Sequence, residues 1–132
     1  MGARAGLANW HAALKGGSEP EMLAAIVSED AVFHSPVVHT PQRGRALVVA
    51  YLAAAGQTLG TENFRYVRDM TDGDTVLLEF ETEIDGVHIN GVDLIRFDED
   101  GLIADFKVMI RPLKAVNKVW EAMAAELTRR RS

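Results

Sequence analysis

Residues 87–110 read VHINGVDLIRFDEDGLIADFKVMI, and this stretch decides the fold. Its two halves, 87–98 and 102–110, alternate apolar and polar side chains as β-strands do. Between them, the acidic run from Asp98 to Gly101 is typical of a tight turn. A connection this short cannot cross over to a parallel neighbour, so the two strands form an antiparallel hairpin.

Two further strand-like segments, 63–71 and 75–84, precede this hairpin. Short turns at Asp72–Gly73 and Asp85–Gly86 separate the successive segments. The second half of the chain is therefore predicted to be a four-stranded antiparallel meander.

Apolar residues at helical spacing dominate the rest of the chain. A first helix carries Leu7, Trp10 and Leu14 and stops at Gly16. We then predict, in order, a second helix capped by Ser18 and ended by Glu29 and Asp30, a short strand at 31–35, a loop at 36–44, a third helix at 45–59 and a last helix from Pro112. The prediction is a single α+β domain over residues 1–132, with a curved, mostly antiparallel sheet wrapped around helices.

The composition excludes several classes of protein. The 132 residues include no cysteine, which rules out disulfides, thiolate catalysis and zinc-finger sites. The net charge of −5 disfavours a nucleic-acid partner, because such a partner requires a basic face. No apolar run reaches the ~18 residues of a membrane span, and the first residues lack the apolar stretch of a signal peptide. We therefore expect a soluble, cytoplasmic protein with neither a nucleic-acid nor a membrane partner.

Asp93 interrupts the apolar face of the strand at 87–98. It alternates in phase with Ile89, Ile95 and Phe97, whose side chains must face the core. Ionising a carboxyl group among such side chains is costly, so we expect the pKa of Asp93 to be raised. In a pocket, this group is a candidate general acid or hydrogen-bond donor. The alternative is a structural role, in which Asp93 bonds a buried amide, a tryptophan N–H or a neighbouring side chain.

Two histidines lie close to the predicted loop at 36–44. His39 is placed to fold over a pocket mouth, where neutral imidazole is a competent base. His34 lies on the strand before the loop, and a surface position is the simpler interpretation of both residues. The spacing of His34, His39, His88 and Asp93 does not match a metal site, so we predict neither a metal nor another cofactor.

The predicted buried faces of the helices add further candidates for the site. Trp10 and Tyr51 each bring a polar tip into an apolar setting, although an aromatic residue at helical spacing is more often part of the core. We predict Asp93 as the acid, His39 as the base and Trp10 as a second donor. The predicted lining of the pocket is Phe33, Ser35, Tyr51, Phe80, Ile95, Phe106, Val108 and Ile110.

The predicted outer face of the sheet also carries apolar side chains. Val92, Leu94, Ile103 and Met109 alternate outward among polar residues. Such a mixed face suits association with a second copy, so we expect a homodimer formed through the sheet.

The order of these elements resembles the cone-shaped α+β fold of nuclear transport factor 2, ketosteroid isomerase and the SnoaL-like polyketide cyclases. The resemblance covers essentially the whole chain and is most specific in residues 28–36, 43–45 and 91–103. It implies a pocket for a small, apolar, carbonyl- or polyketide-like molecule. The chemistry it implies is isomerisation, cyclisation or dehydration by acid and base.

Ketosteroid isomerase uses an aspartate base, with a tyrosine and a protonated aspartate at the enolate oxygen. The resemblance places Asp93 at the protonated aspartate, Trp10 at the tyrosine and Ser35 at the base. Serine does not transfer a proton unaided at neutral pH, which leaves His39 or His34 to act as the base. The arginine and aspartates of the epoxide-hydrolase branch are not matched. The alternative is a non-catalytic ligand-binding or dimeric interaction module in which Asp93 is structural.

Overall fold

The computed structural model describes residues 2–131. Within this range the elements are α1 (Gly2–Lys15), α2 (Pro20–Ala24), β1 (Val27–His34), β2 (Gln42–Arg43), α3 (Arg45–Leu59), β3 (Arg65–Asp72), β4 (Thr75–Ile84), β5 (Val87–Phe97), β6 (Ile103–Arg111) and α4 (Leu113–Arg131). The alternating second half of the sequence thus forms long strands, as predicted, and the segments with helical spacing flank them.

The strands form one curved, unclosed sheet in the order β2-β1-β6-β5-β4-β3. The predicted meander from β3 to β6 is confirmed, because each of its neighbouring pairs is antiparallel. β1 lies parallel to β6, and β2 closes that edge as its antiparallel partner. The predicted α+β class with a mostly antiparallel sheet is therefore correct.

The inner face of the sheet carries the core. Val76, Leu78 and Phe80 of β4 are fully buried and alternate with more exposed residues. β5 repeats the pattern, and α1 and α3 pack against this face with their own small and apolar residues. This packing positions every inward side chain of β4 and β5, including Asp93.

The second helix is shorter than predicted. α2 ends at Ala24, its N-cap is Glu19 rather than Ser18, and β1 already begins at Val27. The backbone N–H of Ile103 donates to the carbonyl oxygen of Ile26 at 2.8 Å. Pairing with β6 therefore draws this stretch into the sheet, overriding its helical spacing. The two-residue strand β2 lies within the segment predicted to be an irregular loop.

A register shift in β6 reverses one predicted side-chain direction. Arg96 of β5 pairs with Asp105, whereas Phe97 pairs with Ile103, so Ala104 is an extra residue between them. Ile103 is consequently buried, and its predicted outer position is wrong. The alternation beyond the shift follows the prediction, with Phe106 and Val108 buried and Lys107 and Met109 exposed.

Candidate functional site

A cavity of about 280 Å³ lies between the inner face of the sheet and the helices α1 and α3. The sheet side contributes Phe33, Phe80, Asp93, Phe106 and Val108. The helix side contributes mainly apolar or small residues, among them Leu14, Leu52, Ala55 and Gly56. The volume is close to the lower end of the roughly 300–1,000 Å³ found for small-molecule pockets. Its walls suit a small, largely apolar molecule.

Three polar side chains are joined by hydrogen bonds in this cavity. The indole Nε1–H of Trp10 donates to the hydroxyl oxygen of Tyr66 at 3.0 Å. The Tyr66 hydroxyl in turn donates to Oδ2 of Asp93 at 2.7 Å. The groups come from α1, β3 and β5, so the tertiary fold assembles them. We refer to Trp10, Tyr66 and Asp93 as the donor chain, because each hydrogen bond points towards Asp93.

Neighbouring elements hold the donor chain in place. Asp93 lies inward on β5 between Leu78 of β4 and Val108 of β6. The ring of Tyr66 packs edge-on against Phe64, with centroids 5.1 Å apart. The Trp10 ring meets Phe106 edge-on at 4.9 Å. These contacts leave the polar tips little freedom to change partners.

Burial dominates the electrostatics of this site. Asp93 is only 5% exposed, and loss of hydration raises its pKa from 3.8 to about 7, although the hydrogen bond from Tyr66 acts in the opposite direction. Burial also raises the pKa of Tyr66 well above its ordinary value. The charge of Asp93 and the hydrogen bond to it add to this rise, which the hydrogen bond from Trp10 opposes. Tyr66 is therefore neutral at any physiological pH, whereas Asp93 changes its protonation state near neutrality.

The second carboxyl oxygen of Asp93 remains available. Within the described residues, Oδ1 has no hydrogen-bond partner, because the bond from Tyr66 goes to Oδ2. Every fully enclosed side-chain nitrogen or oxygen in this part of the chain does have a partner. Oδ1 must therefore retain open surface, and Asp93 lines the cavity. A neutral Asp93 can accept from Tyr66 through Oδ2 and donate through Oδ1 to a molecule in the cavity.

Comparison with known proteins shows to which family the chain belongs. The model of the SnoaL-like domain matches residues 7–106. This chain belongs to the SnoaL-like domain family. A crystal structure of a steroid delta-isomerase from Pseudomonas aeruginosa is 35% identical, with a TM-score of 0.90, and the match covers 97% of this chain and 93% of that one.

Two further similar structures are described as uncharacterised or of unknown function. An uncharacterised protein with a cystatin-like fold from Silicibacter pomeroyi is 38% identical, with a TM-score of 0.76, over 83% of this chain and 76% of that one. An NTF2-like protein of unknown function from Mesorhizobium loti is 17% identical, with a TM-score of 0.71, over 84% and 92% of the two chains, and it shows the fold alone. No curated protein matches the sequence.

The SnoaL-like domain brings part of the sequence-predicted site together. Asp93, Trp10, Phe33, Phe80, Phe106 and Val108 all line the cavity. Ile95 and Tyr51 do not. Ile95 is fully buried in the core, and Tyr51 packs its ring against Phe33 at 5.5 Å. Trp10 donates to Tyr66 and not to an open position beside Asp93.

The remaining predicted residues lie elsewhere. His39, Ser35 and Ile110 line a separate surface depression of about 430 Å³. His34 lines the same depression and bonds Asp105 through Nε2 at 2.9 Å. Neither His39 nor His34 therefore lies in the cavity that contains Asp93, and no histidine of the described residues lines it, although the His11 ring packs edge-on against Tyr66 at 5.8 Å.

Sequence reasoning missed Tyr66 as a site residue. It falls in the predicted strand 63–71, two residues after Phe64, so the two side chains share a face. A tyrosine on the inner face of a strand is a usable signal, because its hydroxyl needs a partner when buried. That inner face was hard to recognise, because the rest of β3 is mostly exposed and its sequence, RYVRDMTD, does not alternate apolar and polar residues.

Neither metal ligands nor a membrane span are found in the described part of the chain. No three His, Asp or Glu side chains among residues 2–130 come together as ligands would. No described helix is long and apolar enough to cross a membrane.

Proposed function

We propose that this SnoaL-like protein binds a small, apolar molecule carrying a carbonyl or similar oxygen, and that neutral Asp93 donates a hydrogen bond to that oxygen. The observation that carries the proposal is the donor chain, which ends at Asp93 in a cavity lined mainly by apolar and small residues.

The walls of the cavity support an apolar ligand. Phe80, Phe106 and Val108 line the cavity together with Asp93 on the sheet side and present apolar surface to a ligand. In such surroundings a hydrogen bond is electrostatically stronger than in water. One well-placed donor therefore fixes the orientation of a ligand whose remaining surface is apolar.

The direction of the donor chain supports the role of Asp93 as a donor. Trp10 donates a hydrogen bond to the Tyr66 hydroxyl, which donates one to Oδ2 of Asp93. Successive hydrogen bonds that point the same way polarise one another, which makes the last group a better donor. Bound to a carbonyl oxygen, that donor stabilises negative charge developing on the oxygen.

Binding of a ketone tests this role, because a ketone accepts hydrogen bonds and does not titrate. The probe is 1-tetralone, titrated calorimetrically from pH 5.5 to 8.5. With the pKa of Asp93 at about 7, only about one protein in 30 carries the proton at pH 8.5. The apparent affinity should therefore fall about 30-fold over this range.

Matched variants separate Asp93 from other titrating groups. Asp93→Asn keeps an uncharged donor and should bind 1-tetralone with little dependence on pH. Asp69→Asn is the same change at an exposed position of β3 outside the cavity, and it should retain the wild-type pH profile. Wild-type affinity that stays constant across the range, or an unchanged pH profile in Asp93→Asn, contradicts the donor role.

A second candidate function is double-bond isomerisation with Asp93 as the proton carrier. Asp93 and Tyr66 are the only titratable side chains among the described residues that line the cavity, and Tyr66 stays neutral. The similarity to a protein described as a steroid delta-isomerase also favours this reaction. The carboxylate would take a proton from the carbon between a carbonyl and a double bond, leaving a dienolate. The carboxylic acid would then return the proton to the far carbon of the double bond.

Turnover of cyclohex-3-en-1-one to its conjugated isomer, followed by ultraviolet absorbance, tests this candidate. A carrier must begin as the carboxylate, so the rate should rise with pH through about 7, opposite to the binding profile of 1-tetralone. Asp93→Asn should lower the rate about 10²- to 10⁴-fold. Ketone binding without turnover would indicate a protein that binds its ligand and does not catalyse this reaction. If neither is observed, the remaining alternative is an interaction module with a structural Asp93.

We also propose that the outer face of the sheet pairs with a second copy of this chain. Cross-strand pairing puts Met70, Leu77 and Leu94 in one row and Val92 and Met109 in the next. Met70 and Met109 are 55% and 48% exposed. Positively and negatively charged side chains lie beside these rows: Arg68 and Glu79 form an ion pair, and Lys107 adds a further positive charge. A self-complementary patch of this kind suits a twofold interface.

A further inference from the structure

Ser18 lies in the helix-side wall of the cavity, whereas Asp93 belongs to the sheet side. Ser18 follows α1 at the turn towards α2, and its backbone N–H donates to the carbonyl oxygen of Ala13 at 2.9 Å. The residue is only 4% exposed. A polar side chain this buried normally has a hydrogen-bond partner.

The Ser18 hydroxyl has no such partner among the described residues. Every fully enclosed side-chain nitrogen or oxygen in residues 2–130 is hydrogen-bonded. The unpartnered Oγ of Ser18 therefore keeps some open surface, and the residue lines the cavity. An almost buried hydroxyl without a partner loses hydration and gains no bond in return. A ligand oxygen can supply the missing bond.

The backbone at Ser18 has a strained conformation, and its side chain lies in a tightly packed position. Ser18 has a φ of +55°, a left-handed conformation that residues with a side chain rarely adopt. Its side chain fits only because residue 56 of α3 is glycine. A Cβ on Gly56 would lie 2.3 Å from the Ser18 hydroxyl oxygen. Strained positions of this kind concentrate at ligand-binding sites.

We propose that the Ser18 hydroxyl is a second polar contact for the ligand, and that the ligand carries two oxygen groups separated by an apolar body. This inference rests on the proposed binding function and narrows its ligand class. One oxygen meets Asp93 on the sheet side, and the other meets Ser18 on the helix side. Between them the ligand passes apolar walls such as Leu52 and Phe106.

Ring-hydroxylated ketones test the inference. The probes are 1-tetralone and its 5-, 6- and 7-hydroxy derivatives, titrated calorimetrically at pH 6. The derivatives keep the same ketone and place the second oxygen at three distances from it. In the wild type, at least one derivative should bind about three- to tenfold more tightly than 1-tetralone, which is the gain that one net hydrogen bond provides.

Three variants test whether the tighter binding of a hydroxylated derivative depends on the Ser18 hydroxyl. Ser18→Ala and Ser18→Gly both remove the hydroxyl, and the glycine also relieves the left-handed backbone, so agreement between them excludes a backbone effect. Both should lower the affinity ratio between derivative and 1-tetralone towards one. Ser28→Ala removes a serine hydroxyl on β1 outside the cavity and should leave the ratio unchanged. A cooperative thermal unfolding transition is the check that each variant is folded.

The outcomes separate this inference from the function on which it rests. If 1-tetralone does not bind the wild type, the proposed function fails, and this inference fails with it. If 1-tetralone binds through Asp93 but no derivative is preferred, only the role of Ser18 is refuted. The role of Ser18 is also refuted if a derivative is still preferred over 1-tetralone in both Ser18 variants.

Discussion

Replacing Asp93 by asparagine should change how the stability of the protein depends on pH. The folded protein holds the pKa of Asp93 at about 7, against 3.8 for an ordinary aspartate. Between these values the folded state keeps a proton that the unfolded state has lost. The free energy of unfolding of the wild type therefore falls as the pH rises from about 4 to about 7. Above pH 7 both states are deprotonated, and the contribution becomes constant.

The size of the effect follows from the pKa shift. Each unit of difference corresponds to about 1.36 kcal/mol, so three units give about 4 kcal/mol. Asparagine does not titrate, and its side-chain oxygen still accepts the hydroxyl of Tyr66. Asp93→Asn should therefore have nearly the wild-type stability at pH 4. At pH 8 it should be more stable than the wild type by an amount approaching 4 kcal/mol.

Urea denaturation at half-unit intervals from pH 4 to pH 8 measures this difference, because it gives a free energy of unfolding at each pH. Subtracting the variant from the wild type cancels the other titrating groups. Asp69→Asn, an exposed change of the same kind, should track the wild type. Two parallel curves, with a difference constant to within about 0.5 kcal/mol, would show that Asp93 ionises normally in the folded protein and would refute the reasoning.

Three further predictions follow from packing and hydrogen bonding. Tyr66→Phe removes the hydroxyl that lowers the pKa of Asp93, so the pH at which stability changes should rise. It should also cost about 1–3 kcal/mol in urea denaturation by leaving buried groups unpaired. Gly56→Ala places a Cβ against the Ser18 hydroxyl and should destabilise the fold by about 1–3 kcal/mol, read as a lower unfolding temperature. Met70→Glu on the outer face should convert a dimer to a monomer in light scattering coupled to gel filtration, and a wild type that is already monomeric contradicts the proposed interface.

Local patterns predicted most of the sheet, because a strand's alternation and a hairpin's turn both lie within a few residues of sequence. Residues 87–110 contain both, and the structure has β5 and β6 there. The exceptions were decided by distant partners. Val27 follows a helical spacing, yet it begins β1, since β6 lies alongside it. The extra residue Ala104 in β6 leaves no periodic signal and turns Ile103 inward.

The candidate site was predictable only where one strand determined it. The inward position of Asp93 followed from the parity of β5, and the structure places the residue there. Tyr66 is different, because the register of β3 shifts between Tyr66 and Arg68 and most of that strand is exposed. Its meeting with Trp10 joins residues 56 positions apart in sequence. Only the tertiary structure brings such pairs together.

The choice between a structural and a ligand-contacting Asp93 turns on what a carboxyl provides that an amide does not. Accepting a hydrogen bond from Tyr66 requires one oxygen, and an asparagine would accept it without any cost of ionisation. A carboxyl here lowers stability by about 4 kcal/mol once the pH exceeds its pKa. Its second oxygen has no hydrogen-bond partner among the described residues, and Asp93 lines the cavity. A purely structural role uses neither the titration nor this oxygen. Contact with a ligand uses the oxygen, and proton transfer to or from a ligand uses the titration as well, so the arrangement favours the ligand.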